Sequence, residues 1–334
     1  MKNHADLRIF TGTANRPLAL EVCRYLGVTL GAANVRPFKD NEPYARLEDN
    51  VRGRDVVLIQ PTNATPKSSW DNAGELFMLA RAARDASASS VIAVIPYLLG
   101  TRMDRKDTSR VAVTSKLMID LAATAGVDRL VFLDLHAAQE QSFPGPGVRC
   151  DHLYVRPVFL GEIRNRGLPM LSVASADIGG GKIINSYSKR LDAPLIIVHK
   201  AREGDTLTSS GVLGDPKGRH CFIVEDESAT GSSLIKAAEA LIERGALSVR
   251  VVVTHAKLIG DAVKRLDECA ALTEILVTDT IYLHRPEELP EKFKVCTVAK
   301  LLALAIRAIR GDEDSISALF EEDSYLAMCG SLNA

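Results

Sequence analysis

The chain has 334 residues, 46% of them hydrophobic and 25% charged, an ordinary globular make-up long enough for two domains. Its 41 basic residues against 42 acidic ones leave a formal net charge of -1, which argues against a dedicated nucleic-acid or membrane-surface binder. No run is apolar enough to span a bilayer, and Met1 to Asp6 is polar without signal-peptide character, so a cytoplasmic protein is expected.

In chain order, short apolar β-branched runs alternate with longer amphipathic ones. A strand is predicted at Val56–Gln60, followed by a helix at Ala73–Ala86, a strand at Val91–Pro96 and a helix at Thr114–Ala125. Leu130–Asp134 reads as the next strand, Arg156–Arg166 as a helix, Met170–Ala174 as a strand and Lys182–Arg190 as a helix. Strands at Leu195–Val198 and Cys221–Glu225 precede a helix at Leu234–Arg244 and a strand at Val249–Thr254. The series closes with a helix at Gly260–Glu268, a strand at Ile275–Thr278 and a helix at Thr297–Arg310, and the acidic tail after Gly311 reads as peripheral. Near-continuous apolar strands alternating with helices predict an α/β protein with parallel sheets covered on both faces. Pro144-Gly145-Pro146-Gly147 breaks regular structure and puts a domain boundary near residue 150. The six cysteines (Cys23, Cys150, Cys221, Cys269, Cys296, Cys329) form no Cys-x-x-Cys pair and read as reduced thiols.

Ligands of open parallel sheets bind beyond the carboxyl ends of the strands, and the polar residues of this sequence gather there. Asp134 and His136 end one strand, Asp177 follows another, Lys200 and Arg202 a third, and Glu225 and Asp226 end a fourth. The segment from Glu225 to Ser233 has the chemistry of a ribose-phosphate cradle. Two carboxylates can accept from neighbouring ribose hydroxyls, and the small residues Ala229, Thr230, Gly231, Ser232 and Ser233 open a helix whose N–H groups face a phosphate. A plain capped helix is the alternative reading of those same residues. His136 and Asp177 could be two ligands of a divalent cation, since Mg²⁺ keeps waters and substrate phosphates in its shell. Lys200 and Arg202 suit a transferring phosphoryl group. No Walker P-loop, no G-x-G-x-x-G fingerprint and no G-x-S-x-G elbow occurs.

Together with Ile9 to Thr13, Arg36 to Glu42, Val51 to Asp55, Val94 to Tyr97, Arg102 to Asp107, Gly214-Asp215 and Thr278 to Thr280, these residues identify a resemblance. The chain resembles the ribose-phosphate pyrophosphokinase family from Ile9 to about Ile306. That resemblance implies two phosphoribosyltransferase-like domains, at 1–150 and 151–295, with 296–334 packing back on the first. It implies transfer of the diphosphoryl group of MgATP to the 1-hydroxyl of ribose 5-phosphate, giving phosphoribosyl pyrophosphate and AMP. Phe38, Asp40 and Glu42 would hold adenine from a neighbouring subunit of a dimer or hexamer. Arg102, Met103, Asp107 and His136 would serve ATP, His136 and Asp177 would hold Mg²⁺, and Lys200 and Arg202 would act in catalysis on a flexible loop. Glu225, Asp226 and Ala229 to Ser233 would hold ribose 5-phosphate.

Some positions depart from the family pattern. The cradle begins Glu225-Asp226 rather than Asp-Asp, and Ala229 stands where a carboxylate is usual. Met103 replaces a Gln beside ATP, and Asn50 stands where a Ser serves an allosteric phosphate site. The altered cradle leaves open an acceptor such as ADP-ribose, in which a further group is attached to the 5′-phosphate. A weakly active regulatory homologue is the alternative outside enzyme chemistry. A phosphoribosyltransferase is disfavoured by Asp40, Glu42, Arg102 and Asp107.

Overall fold

The computed structural model describes residues 6–203, 206–283, 286–311 and 315–332, with the backbone alone at 182, 200–203, 206–210, 286 and 331. They form two compact units, Met1–Pro157 with Thr280–Tyr282 and Thr297–Ala334, and Val158–Asp279 with Leu283–Cys296.

The first unit opens with β1 (Leu7–Phe10), α1 (Arg16–Leu26), a hairpin of β2 (Ala33–Pro37) and β3 (Pro43–Leu47), and β4 (Asp55–Ile59). It continues through α2 (Ser69–Asp85), β5 (Ser90–Ile95), α3 (Thr114–Thr124), β6 (Arg129–Leu133) and β7 (Arg149–Leu153). Five parallel strands lie in the order β1-β4-β5-β6-β7. All five residues of β4 are buried, as the centre of a sheet covered on both faces requires. The hairpin was not anticipated, because its strands are half-exposed and show no long apolar run. Ser68 caps α2 by accepting from the Asp71 N–H at 3.1 Å, which places the half-exposed Trp70 in the first helical turn.

The boundary expected near 150 falls instead at Pro157. Pro144 to Gly147 does break the chain, but β7 follows it and pairs with β6 from Arg129↔Arg149 to Leu133↔Leu153. These residues therefore complete the first sheet.

The second unit contains most of α4 (Arg156–Asn165), then β8 (Leu171–Ser175), α5 (Gly181–Leu191), β9 (Leu195–Glu203), β10 (Thr206–Leu213) and β11 (His220–Ser228). It ends with α6 (Ser232–Glu243), β12 (Ser248–Ala256), α7 (Ala262–Glu268), β13 (Leu272–Thr278) and β14 (Phe293–Cys296). The sheet order is β10-β9-β8-β11-β12-β13-β14, parallel throughout except for β10, which runs antiparallel on β9. The α/β class read from the sequence is the class of the structure.

The chain then returns to the first unit. Helix α8 (Ala299–Arg310) packs on α1, burying Leu301, Leu302, Leu304 and Ile306, and Arg310 faces Asp55 of β4 at 3.6 Å. The tail after Gly311 carries α9 (Glu322–Ser331), with Leu319 and Tyr325 buried. The six cysteines are free thiols. No helix among the described residues is long and apolar enough to cross a membrane.

A charged cluster braces the second unit. Arg166 grips Glu274 of β13 through two hydrogen bonds, at 2.6 and 2.7 Å, and Arg250 of β12 approaches the same carboxylate at 3.4 Å. The Arg166 hydrogen bonds hold the Glu274 carboxyl below its usual range, so its stabilisation is present above that range and lost as the pH falls below it. Glu274→Ala leaves two half-buried guanidiniums facing each other and is expected to cost about 2–4 kcal/mol. Urea denaturation checks this, and the deficit should shrink as the pH falls through the lowered range in which the parent carboxylate takes up its own proton.

Candidate functional site

The expected site residues fall into two groups, one in each unit. Phe38, Asp40, Glu42, Arg102, Met103, Asp107 and His136 belong to the first unit, and Asp177, Lys200, Arg202 and the cradle to the second.

Phe38, Asp40 and Glu42 form the tip of the β2–β3 hairpin. The tip is closed by the Phe38 N–H donating to the Glu42 carbonyl at 2.7 Å and by the Asp40 carboxylate accepting from the Glu42 N–H at 3.2 Å. Asn41 takes a left-handed backbone, φ 68°, a conformation that short amide side chains tolerate. Phe38 is exposed, meets Tyr44 edge-on at 5.2 Å, and has the Arg36 guanidinium 5.2 Å from its ring centre. An exposed ring close in the chain to two carboxylates is equipped to stack on a flat heterocycle and accept from its amino group.

Arg102, Met103 and Asp107 occupy the segment between β5 and α3, with Arg102 and Asp107 exposed and Met103 half-buried. His136, also exposed, follows β6 on a backbone held at three successive residues. Asp134 has φ 34° and its carboxylate accepts from the Val155 N–H at 3.2 Å. The Leu135 N–H donates to Nε2 of His152 at 2.9 Å, and the His136 N–H donates to Oγ1 of Thr101 at 3.1 Å. His152 and Thr101 were not among the expected residues. His152 sits in an ordinary strand pattern and Thr101 in a loop, so only their three-dimensional placement reveals them. Glu140 was missed too: it is fully buried behind Thr101, whose hydroxyl donates to it at 2.8 Å. Burial pushes the Glu140 carboxyl up to about 7, opposed chiefly by the Thr101 hydroxyl and reinforced by Asp104.

In the second unit, β11 does not end at Glu225 as expected. Its ladder with β12 runs on through Glu227↔His255 and Ser228↔Ala256, so Glu225 and Asp226 stand inside the strand. Glu225 Oε1 accepts from the Ala176 N–H at 2.8 Å, tying β11 to the end of β8. Burial pushes the Glu225 carboxyl up to about 7, opposed by the Ala176 N–H and reinforced by the nearby Asp177 and Asp226. Asp226 is half-buried, and its Oδ1 accepts from the Glu227 N–H at 2.8 Å. Asp177 is exposed in the loop after β8, oriented by the Gly180 N–H at 2.9 Å. Glu227, overlooked in the sequence, is buried and paired with Lys257 at 2.9 Å, which holds the β11 end against the segment after β12.

Beyond β11 the backbone turns through Ala229 and Thr230 into α6. Gly231 caps the helix with φ 70°, and a Cβ there would lie 2.8 Å from the buried Leu266. Neither serine caps the helix: Gly231 holds the N-cap position, and the Thr230 hydroxyl accepts from the Ser232 N–H at 3.5 Å. Ser232 begins α6, its hydroxyl 3.1 Å from Thr230 Oγ1 and accepting from Arg265 at 3.0 Å, and Ser233 is exposed beside it. A helix N-terminus ringed by hydroxyls, with a guanidinium behind them, favours an anion.

Lys200 and Arg202 were expected on a flexible loop. The backbone instead continues β9 through both, with Lys200 opposite Ser210 and Arg202 opposite Leu207 of β10. Pairing with β10 replaces the loop, and the side chains of both residues lie outside the described ones. The described residues hold no cluster of three or more potential metal-ligating His, Cys, Asp or Glu side chains.

Two family models match the chain. The N-terminal domain of ribose phosphate pyrophosphokinase matches residues 7–126, and the phosphoribosyl synthetase-associated domain matches residues 199–321. The ribose-phosphate pyrophosphokinase of Porphyromonas gingivalis is 40% identical over 96% of this chain and 99% of its own. That of Neisseria meningitidis is 38% identical over 99% of each chain. The crystal structure of phosphoribosylpyrophosphate synthetase from Mycobacterium smegmatis aligns with TM-score 0.83 and 31% identity, over 92% of this chain and 100% of that one.

Two outcomes follow from the cradle's geometry. Because the folded Glu225 carboxyl binds its proton more tightly than an unfolded one, its ionisation costs stability as the pH rises from 4.5 through about 7. Ligand-free Glu225→Gln is therefore expected to exceed the parent at pH 8 by roughly 1–3 kcal/mol. Melting curves from pH 4.5 to 8 should show that gap opening with pH, and a gap independent of pH would contradict the assignment. Gly231→Ala forces a Cβ into the left-handed region against Leu266 and is expected to cost about 1–3 kcal/mol, measurable by denaturant titration.

Proposed function

The chain belongs to the ribose-phosphate pyrophosphokinase family, and we propose that it transfers the β,γ-diphosphoryl group of MgATP to the 1-hydroxyl of ribose 5-phosphate, releasing AMP. The observation that carries this reading is the 38–40% identity to enzymes of that name along essentially the whole of both chains.

The ribose 5-phosphate would lie over the end of β11, its phosphate on the α6 N–H groups and the Thr230, Ser232 and Ser233 hydroxyls, with Ala229 and Gly231 shaping the turn. Glu225 and Asp226 would receive its ring hydroxyls. Phe38, Asp40 and Glu42 would receive adenine, with Arg102, Met103, Asp107 and His136 serving the rest of ATP. The transfer is an in-line displacement, in which the 1-hydroxyl oxygen forms a bond to the β-phosphorus as its bond to the AMP oxygen breaks. Lys200 and Arg202, on the β9–β10 pair, would neutralise charge on the transferring group. Among the residues the resemblance assigns to Mg²⁺, His136 of the first unit and Asp177 of the second are each exposed, and each has the chemistry to ligate an ion that completes its shell with water and phosphate oxygens. Such an ion would supply charge neutralisation of the polyphosphate.

The adenine residues lie on an exposed hairpin tip, which supports a shared site in a homodimer or hexamer. Balanced charge supports a soluble, cytoplasmic enzyme working on small phosphates without nucleic acid or membrane. Ala229, where the family pattern has a carboxylate, motivates testing ADP-ribose beside ribose 5-phosphate as acceptor.

The test is AMP release from MgATP by the purified protein. AMP with ribose 5-phosphate and none with ADP-ribose is the expected result. AMP only with ADP-ribose would reassign the acceptor. No AMP with either would turn the reading to a regulatory homologue. Lys200→Ala is expected to lower turnover by at least about 100-fold, the scale of losing one charge-stabilising donor, while ribose 5-phosphate still binds in calorimetry. Unchanged turnover would remove Lys200 from the chemistry.

A further inference from the structure

Glu140 lies in a short 3-10 turn, Ala138–Ser142, and its side chain is fully buried. Nothing in the transfer just described uses it, and burying a carboxyl without compensation is costly. Its surroundings show what compensates. The Thr101 hydroxyl, itself buried, donates to Glu140 Oε2 at 2.8 Å and accepts from the His136 N–H at 3.1 Å. That hydroxyl's one proton is therefore committed to Glu140, and one of its lone pairs to His136. Ser115, also fully buried, donates its one hydroxyl proton to the Met103 carbonyl at 3.3 Å, and Glu140 Oε1 has no hydrogen-bond partner among the described residues, so Thr101 alone compensates the buried carboxyl. The neighbouring Gln139 donates its amide to Asp104 at 2.7 Å.

These contacts converge on a single stretch of chain. Thr101 and Met103 flank Arg102, Asp104 follows, and His136 is reached through Thr101. Thr101, Met103, Asp104 and His136 each stand at, or next to, a residue assigned above to the nucleotide. We infer that Glu140 is a positioning residue that clasps the 101–104 segment to the His136 backbone, so that Arg102 and His136 are presented together to the ATP phosphates. It touches no substrate and acts through Thr101. The inference rests on the reading of Arg102 and His136 as ATP-binding residues, and its test separates the two.

Glu140→Gln keeps an acceptor of the same shape, Glu140→Leu replaces the carboxyl by an apolar group of similar volume, and Thr101→Val breaks the link to His136. Initial rates of AMP release and calorimetric binding of MgATP are measured for each, with Arg102→Ala as reference. Glu140→Leu is expected to weaken MgATP binding and raise the KM for ATP about tenfold, the scale of one lost buried hydrogen bond. The KM for ribose 5-phosphate should stay within about twofold of the parent, because the cradle is untouched. Glu140→Gln should recover most of the ATP affinity. Should Glu140→Leu not fold, Thr101→Val is expected to show the same ATP-selective loss. Parental ATP affinity in Glu140→Leu or Thr101→Val, alongside a large loss in Arg102→Ala, overturns the role of Glu140. Equal losses for both substrates, with Glu140→Gln as impaired as Glu140→Leu, overturn it as well, because that is the signature of general destabilisation. Unchanged ATP binding in Arg102→Ala would instead remove the nucleotide reading on which the inference stands.

Discussion

Parallel pairing is the constraint on which the second unit depends. A parallel ladder cannot be closed by a tight turn, so each crossover returns the chain to the same edge and the carboxyl ends collect there. β11 lies between β8 and β12, paired on both sides along its first half, and only β12 accompanies it to Ser228. The unpaired side of that second half faces the end of β8, where Glu225 takes the Ala176 N–H. The cradle is thus set by where one ladder stops and the other continues. Gly231 turns the chain into α6 with a left-handed backbone, and the side chain it lacks leaves the space that Leu266 fills. The same logic in the first unit carries β6 to Asp134, whose left-handed backbone swings His136 out of the strand.

The buried central strands were legible because burial on both faces writes itself as consecutive apolar residues. β12, with Val249, Val251, Val252 and Val253, is such a case, and α6 declares itself by small residues before an amphipathic run. The edges were not legible. β7 reads Arg-Cys-Asp-His-Leu and has one ladder partner, so its polar residues are tolerated and it resembles the start of a new domain. β10 is likewise paired on one side only, and without it the segment after Val198 resembles an open loop.

Site residues divide in the same way. Charges at strand ends announced themselves by contrast with the apolar run before them. The groups that orient them did not, since Glu140 within Ala-Gln-Glu-Gln-Ser reads as a solvated turn and His152 as an unremarked strand residue. Their roles come from partners distant in the chain: Thr101 lies on the loop after β5, and Leu135 on the loop after β6. Local pattern carries no trace of such pairings.

The return of α8 to the first unit has a consequence for synthesis. Leu301, Leu302, Leu304 and Ile306 cover a face of the first unit that Leu18 and Val22 of α1 help to build nearly three hundred residues earlier. During translation that face must wait, uncovered, while the entire second unit emerges from the ribosome. The first part of the enzyme to be made is therefore the last to be finished, and a chain interrupted after Cys296 would leave the exit tunnel with an open apolar seam for chaperones to find.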